Sequence, residues 1–338
     1  MSTASGPIYE VGDLVIDLYA GNVSVRAVDG VSFAIHPGET VAIVGESGSG
    51  KTVMTLGPLG LLPEGVTVDI RGRAQSGGQD LLTLGPRRLS ELRGRSFGVV
   101  FQDPISALNP MKRVGPQLAA QARRLTGATG REARQAALDL LKRTGIPDPD
   151  DRYFRYPHEM SGGMLQRVMI ALALAGKPKV LIADEPTTAL DATVQAQILE
   201  LIRQLQREDG IAVLLITHDI GVVSRVADRV IVLYAGRIAE EGPAFEVLTA
   251  PIHPYTIGLL DSVPDLRKSI GEPRQGIPGV PPDQSMLVPG CRFAERCPKV
   301  EPRCRTHRPP LDQVRGRAVV QRVACPPQLR ALREMADA

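Results

Sequence analysis

Eight consecutive residues have the composition and spacing of a phosphate-binding loop: Gly45-Glu46-Ser47-Gly48-Ser49-Gly50-Lys51-Thr52. They follow the apolar run Val41–Val44, which reads as a β-strand. Glycines allow the backbone to wrap closely around phosphates, so that several N–H groups and the start of the next helix face the anion. Lys51 would then reach the β- and γ-phosphates, and the Thr52 hydroxyl would ligate Mg²⁺. The sequence therefore predicts a nucleoside triphosphate site rather than a turn that binds nothing.

Two later strands end in side chains suited to phosphate chemistry. Asp184 and Glu185 follow the apolar run Val180–Ala183, and His218 follows the run Ile211–Ile216. A strand-terminal Asp beside a phosphate loop holds the magnesium ion, directly or through water. The adjacent Glu can act as a general base towards the attacking water. We expect His218 to point towards the same γ-phosphate from the end of its own strand.

A third segment, Ser161-Gly162-Gly163, opens a helix predicted over Leu165–Ala175. Ser161 is a common N-cap residue and needs no further function. Two successive glycines weaken a helix start, however, and they suit a place where backbone N–H groups approach a phosphate. Their position about 20 residues before Asp184 favours the phosphate-binding interpretation.

The elements that must position these residues alternate between strand and helix. In Arg131–Thr144 the apolar side chains fall on one helical face. Strands that alternate with helices around a phosphate loop indicate an α/β fold, with a parallel sheet and the nucleotide at its carboxyl ends. Further predicted segments are helices over Lys51–Leu62 and Ala192–Glu208 and short strands over Leu14–Leu18, Val23–Val28 and Val31–Ile35.

Composition and charge restrict the class of protein. The 338 residues are 43% hydrophobic but only 4% aromatic, so the core must rely on Val, Ile, Leu and Ala. A formal net charge of +3 is too small to argue for a nucleic acid partner. No secretory leader is visible, and the longest fully apolar run, Val168–Ala175, is far shorter than the roughly 20 residues of a membrane span. We expect a soluble chain that reaches a membrane only through a partner.

The sequence changes character near residue 250. Prolines are dense from Pro251 to Pro310, and periodicity is lost. Residues 291–338 carry 11 Lys and Arg against 5 Asp and Glu, a net charge of +6. We therefore predict a domain boundary at about 250–265. All four cysteines of the chain lie beyond this boundary: Cys291, Cys297, Cys304 and Cys325.

Together these motifs resemble the nucleotide-binding subunits of ATP-binding-cassette (ABC) transporters. Gln102 in Phe101-Gln102-Asp103-Pro104 is similar to the Q-loop glutamine of that family. The string Met160-Ser161-Gly162-Gly163-Met164-Leu165-Gln166 resembles the signature usually written LSGGQ. It differs at two positions, where Met160 replaces the Leu and Met164 replaces the Gln. Ala189-Leu190-Asp191 resembles the D-loop and His218 the switch histidine. All these elements occur in family order within residues 8–250.

The resemblance implies both the fold and the roles of the site residues. Residues 1–255 would form an ABC-type P-loop ATPase domain, with a parallel sheet core, an antiparallel β subdomain and a helical subdomain at about 105–175. Residues 256–338 would form a small Cys-containing extension. Family members work as head-to-tail pairs, so the signature would act on the nucleotide of the partner and Glu185 on its own.

The implied site joins catalysis, nucleotide binding and magnesium binding. The family places an aromatic residue against adenine, and the favoured register puts Leu18 there with Tyr19 adjacent. Tyr19 suits stacking on the base and a half-buried strand position about equally well. The predicted catalytic residues are Glu185, His218 and Gln102, and the magnesium contacts are Thr52, Gln102 and Asp184. The predicted ATP-binding residues are Gly45, Ser47, Gly48, Ser49, Gly50, Lys51, Thr52, Tyr19, Asp184, Ser161, Gly162, Gly163 and Asp191.

The cysteine spacing, Cys291-x5-Cys297-x6-Cys304-x20-Cys325, does not follow the paired CxxC pattern of zinc ribbons. Without a secretory signal, metal binding is favoured over a disulfide framework. Three interpretations stay open: a [4Fe–4S] cluster, zinc, and reduced thiols without a ligand. With His253–Leu260 and Gly290–Phe293, the cysteines resemble the C-terminal region of dipeptide and oligopeptide importer ATPases. The strings Ile257–Leu260, Ser161–Gln166 and Ala183–Gln197 are more similar to the first, or D, subunit of those paired ATPases.

The predicted function is the ATP-hydrolysing, energy-coupling subunit of an ABC importer for dipeptides or oligopeptides. The implied partners are a second ABC ATPase, two membrane permease subunits and, indirectly, an extracytoplasmic peptide-binding protein, with no nucleic acid. The implied location is peripheral, at the cytoplasmic face of the inner membrane. Alternatives are import of nickel or another small solute within the same subfamily, and a soluble ABC ATPase acting on ribosomes or DNA.

Overall fold

A computed structural model describes residues 6–21, 23–63, 65–262, 276–286, 288–314 and 319–336. The chain divides into two compact units. Unit 1 holds the described residues of Met1–Tyr9, Ala34–Thr40 and Ser76–Ile216, and unit 2 holds those of Glu10–Phe33, Val41–Gln75 and Thr217–Ala338. The end of the predicted boundary region at 250–265 lies outside the described residues.

The described residues form strands and helices along the whole chain. The strands are β1 Tyr9–Ala20, β2 Val23–Ile35, β3 Thr40–Val44, β4 Thr67–Ser76, β5 Gln79–Asp80, β6 Phe97–Val100, β7 Val180–Asp184, β8 Ala212–Ile216, β9 Arg229–Tyr234, β10 Arg237–Pro243, β11 Asp312–Gln313 and β12 Arg322–Val323. The α-helices are α1 Lys51–Leu56, α2 Pro86–Leu92, α3 Pro104–Ala107, α4 Val114–Thr126, α5 Gly130–Arg143, α6 Pro149–Arg152, α7 Gly162–Leu174, α8 Ala192–Asp209, α9 Ile220–Val226, α10 Ala244–Thr249, α11 Pro254–Asp261, α12 Pro302–Thr306 and α13 Pro326–Ala336.

Parallel strands β6, β7 and β8 form the sheet of unit 1. In the registers, Phe97 lies opposite Val180, and Asp184 lies opposite Ile216. Every residue of β7 and β8 is buried, which is typical of parallel strands covered on both faces. The carboxyl ends of β7 and β8 therefore meet at one edge, where Asp184 and Glu185 leave the sheet.

Helices α4, α5 and α7 of unit 1 pack around a separate apolar core. Its members include Leu118, Ala137, Leu141 and Val168, all buried. A capping box begins α5: Thr129 Oγ1 accepts from the Glu132 N–H, and Glu132 Oε2 accepts from the Thr129 N–H. The predicted helix over 131–144 is thus confirmed.

Unit 2 combines parallel and antiparallel pairing. Strand β3 runs parallel to β9, and β10 pairs antiparallel with both β9 and β12. Strands β2, β1 and β4 are neighbours in a second sheet. The fold class predicted from the sequence, an α/β P-loop ATPase with parallel and antiparallel strands, is confirmed. Among the described residues, no helix combines the length and apolar character needed to cross a bilayer.

The structure corrects two predicted segments. The runs predicted as separate strands over 23–28 and 31–35 form one strand, β2, because buried Asp29 is paired with Arg237 and Arg292 instead of ending the strand in solvent. The helix predicted over 51–62 ends at Leu56 and continues as a 3₁₀ turn over Gly57–Leu59. Pro58 explains that end, because it has no N–H to donate to the preceding turn.

His253 starts helix α11 in a buried position. Its Nδ1 accepts from the Tyr255 N–H at 3.1 Å, and burial lowers the pKa of His253 to about 4. In the unfolded chain a histidine titrates near 6.5, so the unfolded state takes up the proton first as the pH falls. The free energy of unfolding is therefore expected to be highest above about pH 6.5 and to fall by up to about 3 kcal/mol towards pH 4.

The control for this prediction is His253→Asn, because an Asn oxygen can accept the same N-cap bond and does not titrate. Urea unfolding of both proteins between about pH 7.5 and about pH 4.5 provides the measurement. The two curves of stability against pH should diverge below about pH 6.5. Parallel curves would show that His253 does not carry the acid sensitivity.

Candidate nucleotide site and cysteine cluster

The phosphate loop of unit 2 needs glycine at two positions for steric reasons. A Cβ on Gly45 would lie 2.2 Å from the Leu233 carbonyl oxygen, and one on Gly50 would lie 2.3 Å from the Ala27 carbonyl oxygen. Both residues have positive φ, of 153° and 98°. At Gly45 and Gly50 the loop therefore lies against backbone with no space for a side chain.

A matched pair of variants tests this steric argument. Gly50→Ala is expected to destabilise the protein by about 3 kcal/mol or more, because it adds a backbone clash to the strain of a left-handed residue. Gly48→Ala is the control: Gly48 has φ of 76° but nothing within 4 Å of its added Cβ, so it should cost only about 1–2 kcal/mol. Urea unfolding measures both, and equal costs would contradict the argument.

Polar groups of the loop fit an anionic ligand. Lys51 is 6% exposed, and its Nζ donates to the carbonyl oxygens of Gly45 and Glu46 at 2.8 and 2.9 Å. Ser49 Oγ is buried and has no hydrogen-bond partner among the described residues. Helix α1 begins at Lys51 without a side-chain cap, and the Thr52 side chain is exposed. A phosphate would accept from these donors, and Mg²⁺ would take the hydroxyl of Thr52.

Two other predicted residues lie in unit 2. The Thr217 N–H donates to the Ile43 carbonyl oxygen at 3.2 Å, which places the neighbouring His218 at the carboxyl end of β3, where the phosphate loop starts. His218 itself is exposed. Tyr19 lies near the end of β1 and is 40% exposed. The structure brings His218 to the same strand end as the loop, while adenine stacking by Tyr19 stays a prediction.

In unit 1 the predicted catalytic residues Glu185 and Gln102 are in contact. Glu185 Oε2 accepts from Gln102 Nε2 at 3.0 Å and from Thr188 Oγ1 at 2.9 Å. Its own N–H donates to the Ile216 carbonyl oxygen at 2.9 Å. Glu185 has a φ of 46°, a strained conformation for a non-glycine residue. The carboxylate is thus held at a fixed point at the end of the sheet, next to buried Asp184.

The signature and the D-loop also meet within unit 1. Ser161 Oγ accepts from the Met164 N–H at 3.4 Å, so Ser161 caps α7. A Cβ on Gly163 would lie 2.6 Å from Val194 Cγ1, so this glycine permits close packing on α8. Asp191 caps α8 through its Oδ1. Ser161 and Gly162 are exposed and accessible to a second chain.

The four cysteines line one cavity of about 70 Å³ in unit 2. The Cys291 N–H donates to the Cys304 carbonyl oxygen at 2.7 Å, which joins two of the cysteine-bearing segments. Burial raises the pKa of Cys291 and of Cys297, and raises the pKa of Cys325 to about 12. All four thiols are free of disulfides. Within the described ranges, no three His, Cys, Asp or Glu side chains are arranged to hold a metal ion, so neither iron nor zinc is shown.

Sequence reasoning missed three residues that contact the phosphate loop: Tyr255, Gln284 and Arg296. The Glu46 N–H donates to Tyr255 Oη at 2.8 Å, Gln284 Nε2 donates to the Gly48 carbonyl oxygen at 2.5 Å, and Arg296 pairs with the Glu46 carboxylate. The unmatched acidic side chain of Glu46 inside an anion-binding loop was the available signal. It predicts a cationic partner but does not say which one.

Comparison with known proteins identifies the family. Residues 28–188, which contain the phosphate loop, Gln102, the signature and Asp184–Glu185, match the family described as ABC transporter. The chain is 46% identical to a putative peptide import ATP-binding protein of Brucella abortus (strain 2308) over 329 residues. The alignment covers 97% of each chain. This chain belongs to the ABC transporter ATPases. It is therefore an enzyme that hydrolyses ATP.

Other similarities agree with this family. Residues 239–304 match the family described as the C-terminal region of oligopeptide/dipeptide transporters. The dipeptide transport ATP-binding protein DppD of Bacillus subtilis (strain 168) is 47% identical over 291 residues, 86% of this chain and 87% of that one. A dimeric, post-hydrolysis ATP-binding cassette bound to ADP and Pi superposes with a TM-score of 0.61 at 30% identity, over 70% of this chain and 98% of that one.

A structure from Clostridium perfringens, part of an ABC transporter complex, has a TM-score of 0.62 at 31% identity and covers 73% of this chain and 92% of that one. The ABC ATPases thus share the fold of this chain as well as its motifs.

Proposed function

We propose that this ABC ATPase is the energy-coupling subunit of an importer for dipeptides or oligopeptides. The observation that carries the proposal is the match of residues 239–304 to the oligopeptide/dipeptide transporter C-terminal region, which follows the ATPase match in the same chain. Relatives named for peptide and dipeptide transport align with most of the chain. The proposed division is an ATP-binding domain over 1–255 and a C-terminal extension over 256–338.

The residues of the site have distinct proposed roles. Lys51 and the loop N–H groups would bind the β- and γ-phosphates. Thr52, Gln102 and Asp184 would hold Mg²⁺, which would neutralise charge on the phosphates. Glu185 is the general base, and Gln102, hydrogen-bonded to it, orients the attacking water. His218 contacts the γ-phosphate from the end of its strand.

A second ATPase completes the proposed site. The exposed Ser161 and Gly162, with Gly163, would bind the nucleotide of the partner chain in a head-to-tail pair, and Asp191 would position that segment. Tyr19 would stack on adenine. Nucleotide between the two chains would hold them together, and hydrolysis would release them, so that closure and opening drive the attached membrane subunits.

The membrane subunits have a candidate contact surface next to Gln102. Ile105, in α3, and Met111 follow Gln102 in the chain and are 63% and 84% exposed. Large apolar side chains at such exposure suit contact with a partner. We place the chain at the cytoplasmic face of the membrane, bound to two permease subunits that receive peptide from an extracytoplasmic binding protein.

The cysteine cavity is the proposed site of a [4Fe–4S] cluster held by Cys291, Cys297, Cys304 and Cys325. The convergence of four thiols on one cavity supports this, and so does the net positive charge of the segment, which would offset an anionic cluster. The cluster would have a structural role, since a small proline-rich segment gains stability from a metal site. Anaerobic purification followed by iron, zinc and acid-labile sulfide analysis distinguishes the cluster from zinc and from free thiols.

Purification of the tagged chain from membranes, co-expressed with its genomic neighbours, tests the importer proposal. Recovery of two multi-span subunits, a second ATPase and ATP turnover stimulated by a peptide-loaded binding protein would support it. Stimulation by a nickel-loaded binding protein instead of a peptide-loaded one would make nickel the substrate, within the same subfamily of importers. Recovery of the chain bound to ribosomes or DNA, without membrane subunits, would overturn the importer proposal.

A further inference from the structure

The C-terminal extension contacts the phosphate loop directly, within unit 2. Arg296 lies one residue before Cys297, and its guanidinium forms a two-pronged ion pair with the Glu46 carboxylate. The distances are 2.7 Å from Nη1 to Oε2 and 3.0 Å from Nη2 to Oε1. Only 5% of the Arg296 side chain is exposed, against 27% for Glu46. A bidentate pair with a buried guanidinium is strong and geometrically specific.

Arg296 is matched to this position by shape as well as by charge. Its Nε donates to the Pro278 carbonyl oxygen, Nη1 also donates to Tyr234 Oη, and Nη2 also donates to the Ile277 carbonyl oxygen. These bonds and the two to Glu46 account for all five N–H groups of the guanidinium. The rings of Tyr234 and Phe293 lie about 6 Å from the charge. A lysine could not make this set of contacts.

Two further residues hold the loop: Gln284 of the extension, and Tyr255 at the end of the proposed ATP-binding domain. Tyr255, which is fully buried, accepts from the Glu46 N–H at 2.8 Å, and Gln284 donates to the Gly48 carbonyl oxygen. The Glu46 carbonyl oxygen in turn accepts from Lys51 Nζ. The side chain, N–H and carbonyl of Glu46 therefore connect Arg296 of the extension and Tyr255 to the lysine that would bind phosphate.

The same contacts depend on the cysteine-bearing segment being folded. Cys291 and Cys297 pack against the apolar cluster that contains Tyr234, Tyr255 and Phe293. The rings of Tyr234 and Tyr255 lie 4.4 Å apart, and those of Tyr234 and Phe293 lie 5.1 Å apart. Loss of order in this segment would move Arg296 and leave the Glu46 carboxylate without its partner.

We propose that Arg296 and Tyr255 are positioning residues that hold the phosphate loop in its nucleotide-binding shape, so that ATP affinity depends on the folded cysteine segment. The inference rests on the proposed nucleotide site and adds a determinant of affinity from outside the ATPase motifs. Because coupling between two sites is reciprocal, bound nucleotide must also stabilise the cysteine segment.

The first test compares Arg296→Lys and Glu46→Gln in the full-length chain. Each should weaken MgATP binding and raise KM by about tenfold or more, with kcat at saturating ATP changed less than about twofold. The double variant should raise KM by less than the product of the two single fold-changes, because both substitutions remove the same ion pair. The control is Arg330→Lys. Arg330 is an exposed arginine of the extension that pairs with Glu301, and this variant should bind ATP as the wild type does.

A second test uses wild-type protein and does not depend on the folding of a variant. Hydrogen exchange at the amides of Arg296 and Cys297, which donate to Phe293 and Ala294 carbonyls, should slow by about threefold or more on adding MgATP. The Ala133 amide, which donates to the Thr129 carbonyl oxygen at the start of α5, is the internal control and should not change.

Lys51→Ala separates failure of this inference from failure of the proposed site. Wild-type affinity in both Arg296→Lys and Glu46→Gln, with binding lost in Lys51→Ala, would overturn the positioning role alone. Wild-type affinity in Lys51→Ala would overturn the nucleotide site and the inference with it. Exchange at Arg296 and Cys297 that ignores MgATP would also overturn the inference, whatever the variants do.

Discussion

Exchange of Glu185 for glutamine is expected to lower ATP turnover by the assembled transporter by about 10²–10⁴-fold, the usual contribution of a general base. The Glu185 carboxylate is fixed by donors from Gln102 and Thr188 at 3.0 and 2.9 Å. Glutamine has nearly the same size and keeps one acceptor oxygen, but its amide cannot take a proton from water. Phosphate release at saturating MgATP measures the loss, and the Kd for MgATP should change little.

The same variant should accumulate as an ATP-bound dimer, because ATP hydrolysis, the step proposed to separate the two chains, is blocked. Size-exclusion chromatography of the paired ATPase subunits with MgATP is the measurement. Glu208→Gln is the control, since Glu208 is exposed at the end of α8 and forms an ion pair with Arg143. If Glu185→Gln hydrolyses ATP at the wild-type rate in the complex, Glu185 is not the base.

Exchange of Lys51 for alanine is expected to weaken MgATP binding by about a hundredfold or more. Lys51 is 6% exposed, and its ammonium lies over the Gly45 and Glu46 carbonyls, in the centre of the loop. Removing it deletes the charge that would contact the phosphates and also the bonds that tie the two ends of the loop together. Titration with a fluorescent ATP analogue measures the effect.

Lys142→Ala provides the control for Lys51→Ala, because Lys142 is an exposed lysine of α5 in unit 1. It should bind the analogue with wild-type affinity. Since the loop loses internal bonds, the unfolding free energy of Lys51→Ala must be compared as well. Retained affinity in a folded Lys51→Ala protein would remove the phosphate-binding role of this residue.

Local patterns in the sequence were sufficient for the elements that depend on near neighbours. The phosphate loop, the strand before Asp184–Glu185 and the helix around Ala133, Ala137 and Leu141 all follow from glycine spacing or apolar periodicity within about 15 residues. The same patterns failed at β2, where Asp29 and Gly30 looked like a break. The pairing of Asp29 with Arg237 and Arg292 decides that region, and those arginines are more than 200 residues away.

The site shows the same division between local and distant causes. The types and order of Gln102, Glu185 and His218 were predictable, because each follows a recognisable strand or motif. The contact of Gln102 with Glu185 and the left-handed backbone at Glu185 were not, since packing imposes them.

The sequence by itself determined the family motifs, the order of strands and helices around them, and the segment that carries the four cysteines. Only the tertiary structure decided that these cysteines share one cavity and that Arg296 meets Glu46 across 250 residues of chain. Periodicity and motif spacing report on neighbours along the chain. Ion pairs and cavities depend on which distant segments pack together, and many arginines in the extension could have satisfied Glu46 equally well by charge alone.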